Sequence, residues 1–271
     1  DRRITATLDD ASVEGSAVGI GPDGTYTVEQ LLEGLLMASG NDAAHALAQA
    51  LGGDEVALKK VNELAKKLGT RSTVAASYHG LDAAGMSTSA ADISLIYRAA
   101  FSNETFARIV DTEHVDFPGW KDLPGYELWN DNGLYLNDPE GIGGKTGYTE
   151  DAHHTFVGAI DHDGRRLQAV ILDTTVEHGF RAWEQAQMLL REASDVDPGD
   201  GVGELADFSA QSDSVTPTSA APAPSTAPNA AAAPADASSS LDSVQSWAGW
   251  LITALVALLV VAVATFSLLR R

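Results

Sequence analysis

The sequence predicts a mixed α/β domain with helices packed on an antiparallel sheet, and three observations point there. The first half carries several helical repeats of apolar residues, and the stretch after Gly147 carries two β-rich runs joined by an Asp-Gly turn. Beyond about residue 195 the composition changes to Pro, Ala and Ser and then to an unbroken apolar run, which sets the limit of the folded part. Helices first and a hairpin late, without β-α alternation, argue against a parallel doubly wound sheet.

The elements follow in order. Thr27 with Gln30 makes a capping box, and Val28, Leu31, Leu32, Leu35 and Leu36 then keep helical spacing. "SGND" interrupts; Asp42 is expected to cap a second helix over 43–51, which stops at Gly52 and Gly53. Asp54 starts a third helix, with Leu58, Val61, Leu64, Ala65 and Leu68 on one face and Gly69 closing it. Residues 87–100 read as a fourth helix. "HTFVGAI" and "RRLQAVILD" read as strands around "DHDG", and a last helix over 180–192 closes a domain spanning residues 1–195.

Residues 196–242 contain "TPTSAAPAPSTAPNAAAAPADASSS" and read as a disordered stalk, because a segment with so little to bury cannot offset its ordering entropy. Residues 243–269 contain no charged residue, and a run of that length suffices to span a bilayer core of about 30 Å. Trp247 and Trp250 stand at one end of this expected transmembrane helix and Arg270 and Arg271 at the other, which puts residues 270–271 in the cytoplasm and the domain outside. An exported domain implies a signal peptide, yet the chain begins at Asp1 without one.

The formal net charge of −21 argues against a nucleic-acid partner, which would need clustered cations. The absence of cysteine excludes disulfides, thiolate catalysis and cysteine-based zinc sites. No cofactor is expected. Neither is a metal: His153 and His154 are adjacent in a strand run, so they point to opposite faces, and no H-E-x-x-H occurs. His45 and His79 read as packed or solvated.

The chemistry turns on "GIGGKTGYT", Gly141–Thr149. One reading is a phosphate-binding loop, but its first glycine would fall at Pro139, and the residues after Thr146 are strand-like, offering no helix N-terminus. The other is the Lys-Thr-Gly strand of a serine acyltransferase, which requires a Ser-x-Asn partner. Ser39-Gly40-Asn41 lies between two helices, 106 residues upstream of Lys145. Alone, Ser39 and Asn41 would read as caps of an interhelical turn.

With "YTVEQLLEGLLMASGNDAAHALAQALGG", "VNELAKKLG", "HGLD", "STSAADISLI" and "GGKTGYT", the chain resembles the D-alanyl-D-alanine carboxypeptidases, low-molecular-mass penicillin-binding proteins of peptidase family S11, over about residues 10–195. The resemblance implies a β-lactamase/transpeptidase-like fold, a peptidoglycan stem peptide as substrate and β-lactam antibiotics as inhibitors. It implies that Ser39 relays a proton to the departing D-alanine and that Asn41 bonds the substrate's peptide carbonyl. Lys145 and Thr146 would meet the terminal carboxylate, and Gly147 would let the strand backbone approach the peptide. Arg181 is either the family's arginine near that carboxylate or a surface ion-pairing residue. "HGLD" reads as a structural loop.

The family's first motif, Ser-x-x-Lys, which carries the nucleophile and its base, is absent: no serine here is followed three residues later by lysine. In family order the motif precedes Ser-x-Asn, so both it and the export signal are expected upstream of Asp1. The expectation is a membrane-anchored serine-type carboxypeptidase represented by an N-terminally truncated, inactive fragment. The alternatives are a β-lactamase-like hydrolase and a non-catalytic peptidoglycan-binding pseudoenzyme.

Overall fold

The computed structural model describes residues 2–177 and 179–203, so the expected stalk beyond 203, the apolar span and the tail lie outside the described residues. Among the described residues no helix is long and apolar enough to cross a membrane. Strand β1 (Arg3–Thr5) pairs antiparallel with β2 (Thr25–Thr27), and one helical turn, α1 (Leu8–Ala11), lies between them. Three helices follow: α2 (Val28–Ala38), α3 (Asn41–Leu51) and α4 (Asp54–Lys67). After a loop come α5 (Ala90–Phe101) and α6 (Glu104–Val110). The hairpin β3 (His114–Phe117) and β4 (Tyr126–Trp129) and the short α7 (Gly133–Asn137) lead into β5 (Gly141–Thr149), β6 (His153–His162) and β7 (Arg165–Thr174), and α8 (Ala182–Ser194) ends the domain.

Local chemistry accounts for most boundaries. Thr27 Oγ1 accepts the Gln30 N–H at 3.1 Å and Gln30 Oε1 accepts the Thr27 N–H at 2.9 Å, the expected reciprocal cap of α2. The fourth predicted helix starts later than expected, at Ala90, because Ser87 is held in an isolated β-bridge to Val74 and Ser89 provides the cap instead. Helix α8 likewise starts at Ala182: Arg181 is still extended, and its N–H donates to Glu184 at 2.6 Å. Asp163 and Gly164 both take positive φ between β6 and β7, the left-handed pair that a two-residue hairpin turn requires.

The three long strands form one antiparallel sheet in the order β5-β6-β7. Alternation along β6 divides the core into two. Val157 and Ala159 face the helical layer, where Leu31, Leu35, Met37 and Leu47 are fully buried. Phe156 and Ile160 face the other way, against Leu134 and against Ala182, Ala186 and Leu190, the stripe that α8 presents every fourth residue. Near its end α8 is tied to the segment before β5: the Arg191 guanidinium grips the carboxylates of Asp138 and Glu140, and Gln187 donates to Asp138 at 2.9 Å. Helices on one face of the sheet and α8 on the other make the mixed α/β layering that the sequence predicts.

Candidate active site

Three elements converge on one cleft: the turn between α2 and α3, strand β5, and the loop before α7. Helix α2 ends at Ser39 in left-handed backbone, φ 57° and ψ 34°, while the Gly40 N–H reaches back to the Gly34 carbonyl at 3.0 Å. For a residue with a Cβ that conformation costs about 1–2 kcal/mol. It turns the chain directly into α3 and leaves the Ser39 hydroxyl at the junction.

The loop 14–20 packs over this turn and is held by the first residues of α3. Asp42, expected only to cap that helix, does more: its buried carboxylate accepts N–H bonds from Val18 at 3.0 Å, Gly19 at 2.8 Å, Ile20 at 3.1 Å and Ala43 at 2.9 Å. The helix cap itself falls on Gly40, which makes no side-chain bond, because the carboxylate is taken up by a loop without a ladder of its own. Asn41 is buried next to it. Its N–H donates to the Ser16 carbonyl at 2.7 Å and its Nδ2 to the Glu14 carbonyl at 2.6 Å. Gly15 has a φ of 95°, and a Cβ there would lie 2.3 Å from Asn41 Nδ2, so the close approach depends on glycine.

Strand β5 brings the cation. Its glycine run serves packing, which disposes of the phosphate-loop reading: Gly143 sits at φ 106° in a bulge, where a Cβ would meet Val110 at 2.6 Å, and its carbonyl accepts the buried Tyr97 hydroxyl at 3.1 Å. The strand then runs on to Thr149, so no helix N-terminus follows Lys145. Lys145 is only 2% exposed. Its Nζ donates to Ser39 Oγ and, at 2.8 Å, to the Thr146 carbonyl. Thr146 Oγ1 donates at 2.8 Å to Asp131 Oδ2, which itself lies 4.0 Å from Lys145 Nζ.

A cleft of about 350 Å³ opens over these groups, with Ser39, Asn41, Lys145, Thr146 and Gly147 in its lining. Its other walls include Ser16, Leu35, His79, Asp131 and Tyr148. Arg181 is not among the residues that line it. That residue is exposed at the start of α8, where its backbone is committed to Glu184. His79 belongs to the loop expected to be structural. Part of that loop is: Asp82 accepts the Thr149 hydroxyl at 2.8 Å and so fastens the far end of β5. His79 itself lines the cleft, and burial holds its imidazole below its usual pKa, with His45 acting in the same sense and Asp54 opposing. Its Nδ1 accepts the Leu81 N–H at 3.2 Å, which leaves the proton of the neutral ring on Nε2. His153 and His154 do diverge, the first to Asp173 at 2.7 Å and the second against the Tyr148 ring. Asp131 was not picked out from sequence, since an aspartate in "WNDNG" carries no motif; only the fold sets it against Lys145.

Strand β5 has β6 on one side, and among the described residues no strand on the other. A rigid hydroxyl and ammonium pair, beside an unpaired strand edge, can hold an extended peptide and stabilise or relay charge at one end of it.

Comparison with known proteins gives a consistent picture. A sequence model of D-alanyl-D-alanine carboxypeptidases, peptidase family S11, matches residues 4–176. The D-alanyl-D-alanine carboxypeptidase DacB2 of Mycobacterium tuberculosis is 41% identical over 205 residues, which is 74% of this chain and 70% of that protein. DacF of Bacillus subtilis, a D-alanyl-D-alanine carboxypeptidase, is 32% identical over 168 residues, 59% of this chain but 41% of its own length. Among solved structures, a D-alanyl-D-alanine carboxypeptidase from M. tuberculosis matches with a TM-score of 0.72 at 39% identity, covering 76% of this chain and 78% of that one. The Streptomyces K15 DD-transpeptidase matches with a TM-score of 0.63 at 26% identity, covering 71% and 78%.

Proposed function

This chain belongs to the D-alanyl-D-alanine carboxypeptidase family, and from that premise we propose that its cleft binds the D-Ala-D-Ala end of a peptidoglycan stem peptide for removal of the terminal D-alanine. The observation that carries the reading is the contact between Lys145 Nζ and Ser39 Oγ at the foot of an open cleft, beside the free edge of β5. The stem peptide lies along β5, adding its backbone to that edge, with Gly147 giving it room. Its terminal carboxylate meets the Lys145 ammonium. Ser39, polarised by that ammonium, passes a proton towards the leaving amine. Asn41 offers its amide to the peptide carbonyl once the Glu14 carbonyl releases it.

Acyl transfer also needs a nucleophile with its own base, and the 271 residues contain no Ser-x-x-Lys pair. The chain therefore supplies the binding and proton-relay half of the chemistry. β-Lactams, as mimics of the acyl-D-Ala-D-Ala end, enter the same cleft. The apolar residues 243–269, with Trp247 near one end and Arg270 just past the other, anchor the domain on the outer side of the membrane, and residues 196–242 form the stalk between them.

The test is direct. Incubated with labelled penicillin and with a D-Ala-D-Ala pentapeptide, the chain shows saturable, non-covalent binding of the peptide, abolished by Lys145→Met, with no released D-alanine. A covalent penicillin adduct on Ser39 would overturn its assignment as relay, and peptide binding that survives Lys145→Met would overturn the cleft as the site.

A further inference from the structure

The hairpin β3–β4 presents one face to the helical core and the other to solvent. Val115, Phe117 and Leu128 pack inward, so His114, Asp116, Glu127 and Trp129 point outward. The outward residues pair across the hairpin, Trp129 with His114 and Glu127 with Asp116. An indole is normally buried with a partner for its N–H. Trp120 follows that rule, donating to the Pro22 carbonyl at 2.9 Å. Trp129 does not: it is 49% exposed, and among the described residues its Nε1 has no hydrogen bond. The His114 ring backs it, with 4.7 Å between centroids and 25° between planes, and leaves the other aromatic face open. Beside this stack Asp116 and Glu127 stand directly opposite each other, with no ion pair among the described residues, an arrangement that costs the hairpin stability. The alternation continues beyond the strand: Glu127, Trp129 and Asp131 are exposed, while Leu128, Asn130 and Asn132 are buried. The outward row therefore runs into the cleft, whose wall includes Asp131, at most about 7 Å along the chain from Trp129.

We propose that Trp129, backed by His114 and bordered by Asp116 and Glu127, is a sugar-binding platform for the glycan strand from which the stem peptide hangs. The identity of that glycan rests on the reading of the cleft as a peptidoglycan site. A pyranose ring has a face of C–H groups and an equator of hydroxyls. The C–H face lies on the electron-rich face of an indole, and the hydroxyls donate to carboxylates, which only accept. A single open face suits such a ring better than a cation, which aromatic residues hold by caging it. The two carboxylates turn away a phosphate or an anionic lipid surface. Reach fits as well. Asp131 Oδ2 lies 4.0 Å from Lys145 Nζ, and Trp129 is two residues further along the row. A five-residue stem spans at most about 18 Å, so a peptide seated on Lys145 brings its own glycan within range of the indole.

The experiment titrates a neutral N-acetylglucosamine tetramer into the whole chain, followed by calorimetry and by the indole N–H resonances. The expected result is saturable binding that shifts the Trp129 resonance and changes by less than about twofold between low salt and about 0.5 M. Trp129→Ala and the strand-compatible Trp129→Thr lower the affinity by about tenfold or more, with circular dichroism showing that both remain folded. Trp129→Phe, which keeps a flat ring, loses about threefold or less. Lys145→Met binds the tetramer as wild type does. Equal affinity in wild type and Trp129→Ala, or no binding to wild type, overturns the platform and leaves the peptide reading of the cleft standing. Loss of the tetramer in Lys145→Met puts the sugar in the cleft and also overturns it. So does a face that takes tetralysine, in a salt-sensitive manner, in preference to the tetramer, since that marks a site for a cationic partner. A D-Ala-D-Ala pentapeptide titrated separately tests the cleft; if it fails to bind while the tetramer still binds at Trp129, the cleft reading falls and the sugar platform stands.

Discussion

Replacing Asp42 by Asn removes one charge and one acceptor from the junction that holds the cleft together. In the wild type each carboxylate oxygen accepts two backbone N–H groups: Oδ1 from Val18 and Ala43, Oδ2 from Gly19 and Ile20. Asparagine keeps the shape but must turn its NH2 towards one of those pairs, so two donors lose their acceptor whichever way the amide is flipped: buried Val18 and Ala43, or buried Ile20 with the more exposed Gly19. Each orphaned buried donor costs about 1–3 kcal/mol, and the favourable placing of a carboxylate at the start of α3 is lost as well. The working figure is therefore about 3 kcal/mol or more, a large part of the roughly 5–15 kcal/mol that keeps a domain folded. At about 2–4 °C per kcal/mol for a domain of this size, Tm should fall by roughly 6–12 °C. Thermal denaturation followed by circular dichroism measures this, with Asp9→Asn on the exposed face of α1 as the neutral control. Amide exchange should accelerate at Val18, Gly19 and Ile20 before the rest of the domain opens. A Tm within about 3 °C of wild type, with those amides still protected, would refute the idea that this carboxylate holds the loop.

Two further predictions concern pH. Burial and the neighbouring Glu29 charge raise the Glu33 pKa to about 7, against the pull of Arg108, so the native state keeps a proton that the unfolded chain releases. Stability therefore falls as pH rises from about 4.5 to about 7 and stays reduced above that window. Since the side chain is partly exposed, Glu33→Gln should match wild type near pH 4.5 and exceed it by about 1 kcal/mol at pH 8; a difference independent of pH would count against this. His79 behaves oppositely: its depressed folded pKa gives stability that is present above the unfolded value of 6.5 and lost as pH falls below it. Its ring resonances should titrate with a midpoint below 6.5, and a midpoint above 6.5 would show that the cleft does not desolvate it.

The long elements could be read from sequence because their signals repeat. Helix α2 has both its capping box and about three turns of spacing, and the β6–β7 hairpin has an Asp-Gly turn between two branched runs. The short pieces could not. Strands β3 and β4 have four residues each and α7 five, too few for a period to register, so the hairpin that leads to Asp131 was invisible. The cleft divides the same way. Ser39, Asn41, Lys145, Thr146 and Gly147 stand in motifs that the sequence itself displays, whereas Asp131 matters only through its distance to Lys145. Arg181 shows the converse, a residue picked out by resemblance that is not among those lining the cleft. Asp42 was recognised as a helix-start residue, but nothing local could reveal that its carboxylate would gather a loop more than twenty residues upstream.

The grip of Arg191 on Asp138 and Glu140 gives the domain a particular response to being pulled. Tension applied along the chain from beyond Val196 meets the Arg165 guanidinium, which donates to the Val196 carbonyl, and then the last turn of α8, where Arg191 hands it to two carboxylates rooted just before β5. A tether fastened there would load the start of β7 and the base of the Lys145 strand before the α2–α3 wall of the cleft, which that strand reaches through the contact of Lys145 with Ser39.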